Sequence, residues 1–333
     1  MKKILFLATG GTVASIAGEA GLAPVMTGDL ILNMVPEVQS LCDIHILQVM
    51  NIDSTNMTPL NWLKLTSVVL EHYDKYDGFV ILHGTDTMAY TAAALSYLIQ
   101  NSRKPIVFTG SQKPITHPFT DARLNIYQSV LYAIDDSSCD VSLVFQGKAI
   151  SGTRVKKQRT RSYNAFESMN FPVLANLIDD KIFRNVKETP SPKSSLVTYD
   201  KLCQTVAVLK LIPGLNPGIL DTFKKDCDAI ILETFGVGGI PEGGKNGFFP
   251  AINDWVESGR TIIVTTQVPE EGINLSLYKV GKKYANVKGI LEAGDMTTEA
   301  IVAKIMWIMG QTKNQKDIKD MFYHVINYDR GDL

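Results

Sequence analysis

"GFVILHGTDTMAYTAAALSYLIQ", residues 78–100, changes character twice within one turn of a fold. Its first five residues are apolar and β-prone, which predicts a strand buried on both faces. "HGTDT" is small and polar and predicts a loop. The alanine-rich run after it predicts a helix. A strand passing through a short loop into a helix is the repeating unit of an α/β fold with a parallel sheet. Asp86 falls at the hand-over between Thr85 and Thr87, where it can cap the helix or face a ligand. The stretch alone leaves both readings open.

The same alternation extends in both directions. "KILFLA" predicts the first strand, "DIHILQVM" a second, "KPIVFTGSQKP" another strand and loop, and "DVSLVF" closes the first set. Between them the spacing predicts a helix over "GDLILNMVPEVQSL" with Thr27 able to cap it. A second helix is capped by Thr58 with Pro59 at its first position, and a third covers "TDARLNIYQSVLYAI". We read residues 1–184 as a larger N-terminal, doubly wound, mostly parallel sheet domain. Residues 185–200, "NVKETPSPKSSLVTYD", are polar and proline-bearing and read as a linker. Residues 201–333 read as a smaller C-terminal α/β domain with strands "TVAVLKL", "AIILETFG" and "RTIIVTTQ". It carries an amphipathic helix "TTEAIVAKIMWIMGQ" that Thr297 or Thr298 caps and that has Gly310 in its last turn.

Composition narrows the function classes. A chain of 333 residues that is 45% hydrophobic buries a sizeable core. Its 33 basic and 34 acidic residues leave a net charge of −1, so no global field recruits nucleic acid or an anionic membrane. A small neutral or zwitterionic ligand fits better. The 4 cysteines form no Cys-x-x-Cys pair and the 5 histidines show no ligand spacing, so neither a metal nor a cofactor is expected. The apolar stretch in "MKKILFLATGG" is too short for a signal peptide and runs into the glycines, and no run is long enough to span a bilayer; the expected location is cytoplasmic.

In an open α/β sheet, ligands bind beyond the carboxyl ends of the strands. Four loops there are small and polar: "TGGTVAS", "NIDSTNMT", "HGTDTM" and "TGSQKP". They carry Thr9, Thr12, Ser54, Thr55, Thr85, Asp86, Thr87 and Ser111, hydroxyls gathered around one carboxylate, which suits an amide or amino-acid substrate. "TGGTVASIAGEAG" has neither the spacing nor the lysine of a phosphate loop and lacks the G-x-G-x-x-G of a dinucleotide site. Taken alone, Gly10 and Gly11 permit a tight turn and Thr12 reads as a helix cap.

"ATGGTVAS" and "LHGTDTMAYTA" resemble the two signature segments of the bacterial-type L-asparaginases. The resemblance continues through "MNIDSTNMT", "TGSQKPI", "GTRVKKQRT", "ETFGVGGIP" and "GDMTTEA". It implies a cofactor-free amidohydrolase that converts asparagine, and to some extent glutamine, to the acid and ammonia. By resemblance Thr12 matches the nucleophile, Thr85 and Asp86 the second threonine and its carboxylate, and Lys157 the catalytic lysine, with Lys156 as the alternative one position away. Ser54 and Thr55 match the holders of the substrate α-carboxylate, Asp86 also receives the α-ammonium, Ser111 lines the pocket, and the Gly11–Thr12 turn supplies oxyanion donors. This is chemically coherent, because a threonine hydroxyl needs a neighbouring base and a lysine in a low-dielectric site can serve as one. "RVKKQR" by itself would read as a solvated basic run.

The chain resembles the cytoplasmic branch, and the resemblance implies a homodimer or homotetramer, with "ETFGVGGIP" and Glu270 or Glu271 at the interface. Two positions depart from the pattern. Leu22 stands where many members carry a tyrosine that organises the nucleophile, and Val268 stands where members under asparagine control carry a cysteine. Other readings stay open: a glutamine-preferring enzyme of the same fold, the amidotransferase component of transfer-RNA-dependent amidation, and an inactive amino-acid-binding module. The amidotransferase type carries an extra N-terminal domain, whereas the motif here begins at once. Joint retention of Thr12, Thr85, Asp86 and a candidate lysine argues against the inactive module.

Overall fold

The computed structural model describes residues 1–18, 21–24, 26–187, 195–242, 247–277, 279–285 and 287–331, and among these it leaves out the side chains of 16–18, 21–24, 279 and 280. The side chain of Leu22 and residues 188–194 of the segment read as a linker therefore lie outside the described residues. The chain divides into two units, Met1–Asp200 and Lys201–Leu333.

The first unit is built on an eight-stranded sheet. Its strands are β1 (Lys3–Gly10), β2 (Asp43–Ile52), β3 (Gly78–Leu82), β4 (Ile106–Thr109), β5 (Val141–Phe145), β6 (Lys148–Ser151), β7 (Ala175–Ile178) and β8 (Lys181–Arg184). They lie in the order β8-β7-β6-β5-β4-β3-β1-β2. The first five pair in parallel; β5–β6, β6–β7 and β7–β8 are antiparallel. All five residues of β3 and all five of β5 are buried, which is why these strands read as unbroken apolar runs rather than alternating ones. Each such Val, Leu, Ile or Phe contributes roughly 1.5–3 kcal/mol of burial, offset by chain entropy. From β1 the chain goes to β2 on one side and then returns to β3 on the other. The sheet order thus reverses between β1 and β3, which opens a crevice at their carboxyl ends.

Helices α1 (Gly28–Asn33), α2 (Pro59–His72), α3 (Met88–Leu98) and α4 (Ala122–Ala133) connect the parallel strands. Ten residues of α3 are buried, and its small alanines permit close approach: a Cβ at Gly152 would stand 3.0 Å from Ala92 O. At the start of α2 the Thr58 N–H and hydroxyl both donate to Asn61 Oδ1, at 2.8 and 2.7 Å. The helix expected through "GDLILNMVPEVQSL" is shorter than the reading. It stops at Asn33 and a 3-10 turn follows over Pro36–Ser40, because a residue before proline is pushed out of the helical region. Thr27 occupies the cap position of α1, yet its side chain makes no capping bond.

Short antiparallel pieces complete the unit: Ser15–Gly18 with Gly21–Pro24, Val155–Lys157 with Phe166–Ser168, and Ile99–Gln100 with Val197–Thr198. The last pair, with Tyr199 N–H donating to Leu98 O at 2.9 Å, bonds the end of the 185–200 segment to the first unit.

The second unit has four parallel strands in chain order, β9 (Val206–Lys210), β10 (Ala229–Thr234), β11 (Thr261–Thr266) and β12 (Ile290–Glu292). Its helices are α5 (Ile219–Phe223), α6 (Phe248–Glu257), α7 (Lys279–Ala285), α8 (Thr298–Gln311) and α9 (Gln315–Tyr323). Phe248, Ile252 and Trp255 of α6 pack with Ile230, Leu232, Ile262 and Val264 of the sheet. Thr297 caps α8 by accepting from Ala300 N–H at 3.1 Å. Among the described residues no helix is long and apolar enough to cross a membrane.

Candidate active site

Three loops meet where the sheet order reverses. Gly10 ends β1 and Gly11 follows it, with φ of 104° and 80°, a region that side chains disfavour. A Cβ at Gly11 would lie 2.3 Å from Gly84 Cα in the loop after β3, and one at Gly84 would lie 2.6 Å from Ser54 Oγ in the loop after β2. Glycine at both positions is what lets the loops touch. Thr12 opens the 3-10 turn Thr12–Ala14, half-buried, and the cap position belongs to Gly11. Thr12 is therefore not a helix cap, and its hydroxyl has no hydrogen-bond partner among the described residues. Ser15 Oγ donates to Gly11 O at 2.9 Å and braces the turn. Gly11 N–H donates to Ile52 O at 3.1 Å. The expectation of oxyanion donors from both amides is corrected to one: with the Gly11 N–H committed, only the Thr12 N–H of that turn is left.

Asp86 is not the helix cap either. Thr87 occupies that position of α3, and its hydroxyl donates to Ser54 O at 2.7 Å, binding the β2 and β3 loops together. Asp86 instead turns to a lysine. Lys157 Nζ lies 2.6 Å from Asp86 Oδ1 and donates to Thr85 Oγ1 at 2.8 Å. Lys157 ends the short strand paired with Phe166–Ser168, so alternation along that strand sends Lys156 to the opposite face. The side chain that reaches the loop is Lys157. It is 16% exposed, against 58% for Asp86, so the ammonium is enclosed while the carboxylate meets solvent.

The remaining candidates are placed as follows. Ser54 is buried in the 3-10 turn Ser54–Asn56. Thr55 donates both N–H and hydroxyl to Asp53 Oδ1, each at 2.8 Å, which commits its hydroxyl proton. Ser111 is fully buried and donates to Lys113 O at 2.5 Å, so it holds its own turn. No group of three or more His, Cys, Asp or Glu side chains among the described residues is arranged to hold a metal ion.

Two neighbours of the site are not marked by their residue type. His83 heads the "HGTDT" loop but is fully buried, with Nδ1 2.7 Å from Gly84 O; burial lowers its pKa to about 4, so it is a neutral brace and not a base. Gln112 accepts from the Thr85 hydroxyl at 3.3 Å. The signal for it in the sequence is its position beside Ser111 in a polar strand-end loop, a weak one because a carboxamide does not titrate.

Residues 3–190 match the family model described as Asparaginase, N-terminal, and residues 205–322 match the Glutaminase/Asparaginase C-terminal domain. The chain belongs to the asparaginase family. Asparaginase relatives align over nearly the whole length. The L-asparaginase of Thermococcus kodakarensis is 36% identical over 319 residues, 95% of each chain. L-asparaginase 1 of Escherichia coli K12 is 31% identical, over 96% of this chain and 95% of that one. The solved structure of the thermostable L-asparaginase from Thermococcus kodakarensis superposes with a TM-score of 0.93 at 34% identity, over 99% of this chain and 100% of that one. The asparaginase match also extends to a glutamyl-tRNA(Gln) amidotransferase component of Pyrococcus abyssi, 31% identical over 96% of this chain and 75% of that protein. The asparaginase fold, a large mostly parallel sheet and a separate smaller parallel sheet, is the one described above, and membership makes the chain an amidohydrolase.

Proposed function

We propose that the chain is an L-asparaginase that hydrolyses L-asparagine to L-aspartate and ammonia through an acyl-enzyme on Thr12. The observation that carries the reading is Lys157 Nζ joined to both Thr85 and Asp86, on a loop whose glycine touches the glycine before Thr12. Thr12 Oγ attacks the amide carbon as its proton goes to Thr85 Oγ1, and Thr85 gives its own proton to the Nζ lone pair of Lys157, which acts in this step as the free amine. The tetrahedral oxyanion is held by the Thr12 N–H. The C–N bond breaks, ammonia leaves with the proton, and water then hydrolyses the ester by the same route. Ser54 takes the α-carboxylate, with Thr55 contributing where its bond to Asp53 yields. Asp86, half open to solvent, takes the α-ammonium with the carboxylate oxygen not bonded to Lys157.

The family model for the second unit covers glutaminases as well, so glutamine is the competitor to measure. Purified protein should release ammonia from asparagine faster than from glutamine. No ammonia from either would remove the reading and favour an inactive binding module, and glutamine turning over faster would make the chain a glutaminase. We further propose a cytoplasmic homodimer or homotetramer, for which sedimentation of the purified protein is the check.

A further inference from the structure

Lys157 reaches Thr85 and Asp86 from the end of a short hairpin. Its strand, Val155–Lys157, pairs with Phe166–Ser168, and two strands of 3 residues each are marginal unless they lean on something. In the ladder Lys157 stands opposite Phe166 and Lys156 opposite Glu167, so Glu167 lies on the face away from Lys157. Phe166 and Glu167 both hold the sheet where β5 turns into β6. The Phe166 ring meets that of Phe145 edge-on, with centroids 5.1 Å apart, and Glu167 Oε2 accepts from Lys148 Nζ at 2.6 Å. Phe145 and Lys148 are themselves register partners. The other oxygen, Glu167 Oε1, accepts from Arg159 Nη1 at 2.8 Å, and the same Nη1 donates to Asn164 O at 2.9 Å. Burial pushes the Glu167 carboxyl up, and the bonds and charges of Lys148 and Arg159 outweigh it and hold the group below its ordinary value.

We infer that Glu167 is a positioning residue: with one oxygen on Lys148 and the other on Arg159 it fixes the Lys157 hairpin on the sheet, so that Nζ meets Thr85 and Asp86 together. This deepens the proposed function and rests on Lys157 being the base there. The contact of Phe166 with Phe145 sets how close the hairpin lies, and a single ring contact leaves it free to rock. The bond to Lys148, on the opposite face, removes that freedom. The bond to Arg159 ties down the chain two residues after Lys157, so the backbone is held both across from the lysine and beyond it. Partly exposed charges of this kind contribute modestly to global stability. What they decide is where a long side chain starts from, and an error of about 1 Å at a catalytic group can cost about a hundredfold in rate.

The test is steady-state kinetics on asparagine in a double-mutant cycle of Glu167→Leu with Lys157→Met. Glu167→Leu removes both acceptors and keeps an apolar side chain of similar reach. In the wild-type background it lowers kcat about tenfold, with KM within about twofold and the melting temperature close to wild type. In the Lys157→Met background the same substitution changes kcat by less than about twofold, because no lysine is left to place. A general lesion of the fold would slow both backgrounds alike. Glu167→Gln keeps one acceptor and lowers kcat about threefold; if Glu167→Leu fails to fold, it is carried through the cycle instead. A full-speed Glu167→Leu overturns the inference, as does an equal fall in both backgrounds, or a fall in kcat that travels with KM. A fully active Lys157→Met overturns it together with the base. Inactive wild-type protein would instead sink the asparaginase reading, which keeps the two failures apart.

Discussion

Two lysine–aspartate pairs of nearly equal length serve opposite ends in the two units. Lys157 Nζ stands 2.6 Å from Asp86 Oδ1, and Lys304 Nζ stands 2.5 Å from Asp329 Oδ2. Lys304 and Asp329 are wholly buried, and Lys304 also donates to His324 O at 2.7 Å and lies 5.6 Å from the centre of the Phe322 ring. Asp329 Oδ1 accepts from Ile326 N–H at 3.1 Å. Burial pushes the Lys304 pKa down and the carboxylate beside it opposes the shift. This pair ties the chain after α9 to α8, and no water reaches it. Lys157 shares its ammonium with a hydroxyl, and its carboxylate partner is more than half exposed. A lysine–aspartate contact therefore says little about role; access to solvent and the identity of the third partner separate scaffold from chemistry.

The largest expected effect lies on the accessible pair. Lys157→Met should lower kcat for asparagine by about 10³-fold, in the range of lost general acid–base catalysis, while the melting temperature stays close to wild type. Asp329→Ala should do the reverse. It leaves a buried, uncompensated ammonium and should lower the unfolding free energy by about 3–5 kcal/mol in denaturant titration, with kcat of the folded protein retained. If Lys157→Met unfolds the chain or Asp329→Ala kills activity without destabilising it, the distinction fails.

A titratable group with no charged partner sharpens the comparison. The pKa of His83 is lowered from 6.5 to about 4 by burial, with its bond to Gly84 O opposing. The unfolded chain binds that proton more readily, so the stability His83 contributes is complete above its unfolded pKa and is lost as pH falls toward about 4. Asp140 runs the other way. Burial raises its pKa from 3.8 to about 6, so its contribution is present in acid and is lost as pH rises through about 6. The two slopes nearly cancel in the wild type. His83→Asn should expose the Asp140 slope, and wild type and variant should diverge in pH dependence by about 3 kcal/mol across the acid range. Parallel stability curves would contradict the neutral, buried His83.

The smallest effect compares two helix starts. Thr297→Ala should cost about 1 kcal/mol because its oxygen accepts from Ala300 N–H, whereas Thr27→Ala, with no capping bond to lose, should stay within about 0.5 kcal/mol.

Much of this was legible from residue order. Buried parallel strands write themselves as apolar runs, and the loops after β1, β2 and β3 stand out because small polar residues interrupt those runs. Thr12, Thr85 and Asp86 were found this way, and the structure removes the helix-cap alternative for Thr12 and Asp86 by placing Gly11 and Thr87 in those roles. Lys157 was not legible from its own surroundings. "RVKKQR" looks solvated, and its strand is only 3 residues long, defined by pairing with Phe166–Ser168 across a turn. Only the family resemblance pointed to it. Gln112 is hidden for a related reason, since the groups that its carboxamide bonds lie 27, 47 and 50 residues away. The antiparallel strands β6–β8 were missed because each has 4 residues, too few to show a period.

The assignment of Thr12 as the nucleophile is tested most directly by the initial rate of ammonia release from asparagine by purified wild-type and Thr12→Ala protein at equal folded concentration. The account predicts steady release by the wild type and a rate at least about 10³-fold lower for Thr12→Ala, with unchanged thermal unfolding. Near-normal turnover by Thr12→Ala would contradict it and move the chemistry to another group in the crevice.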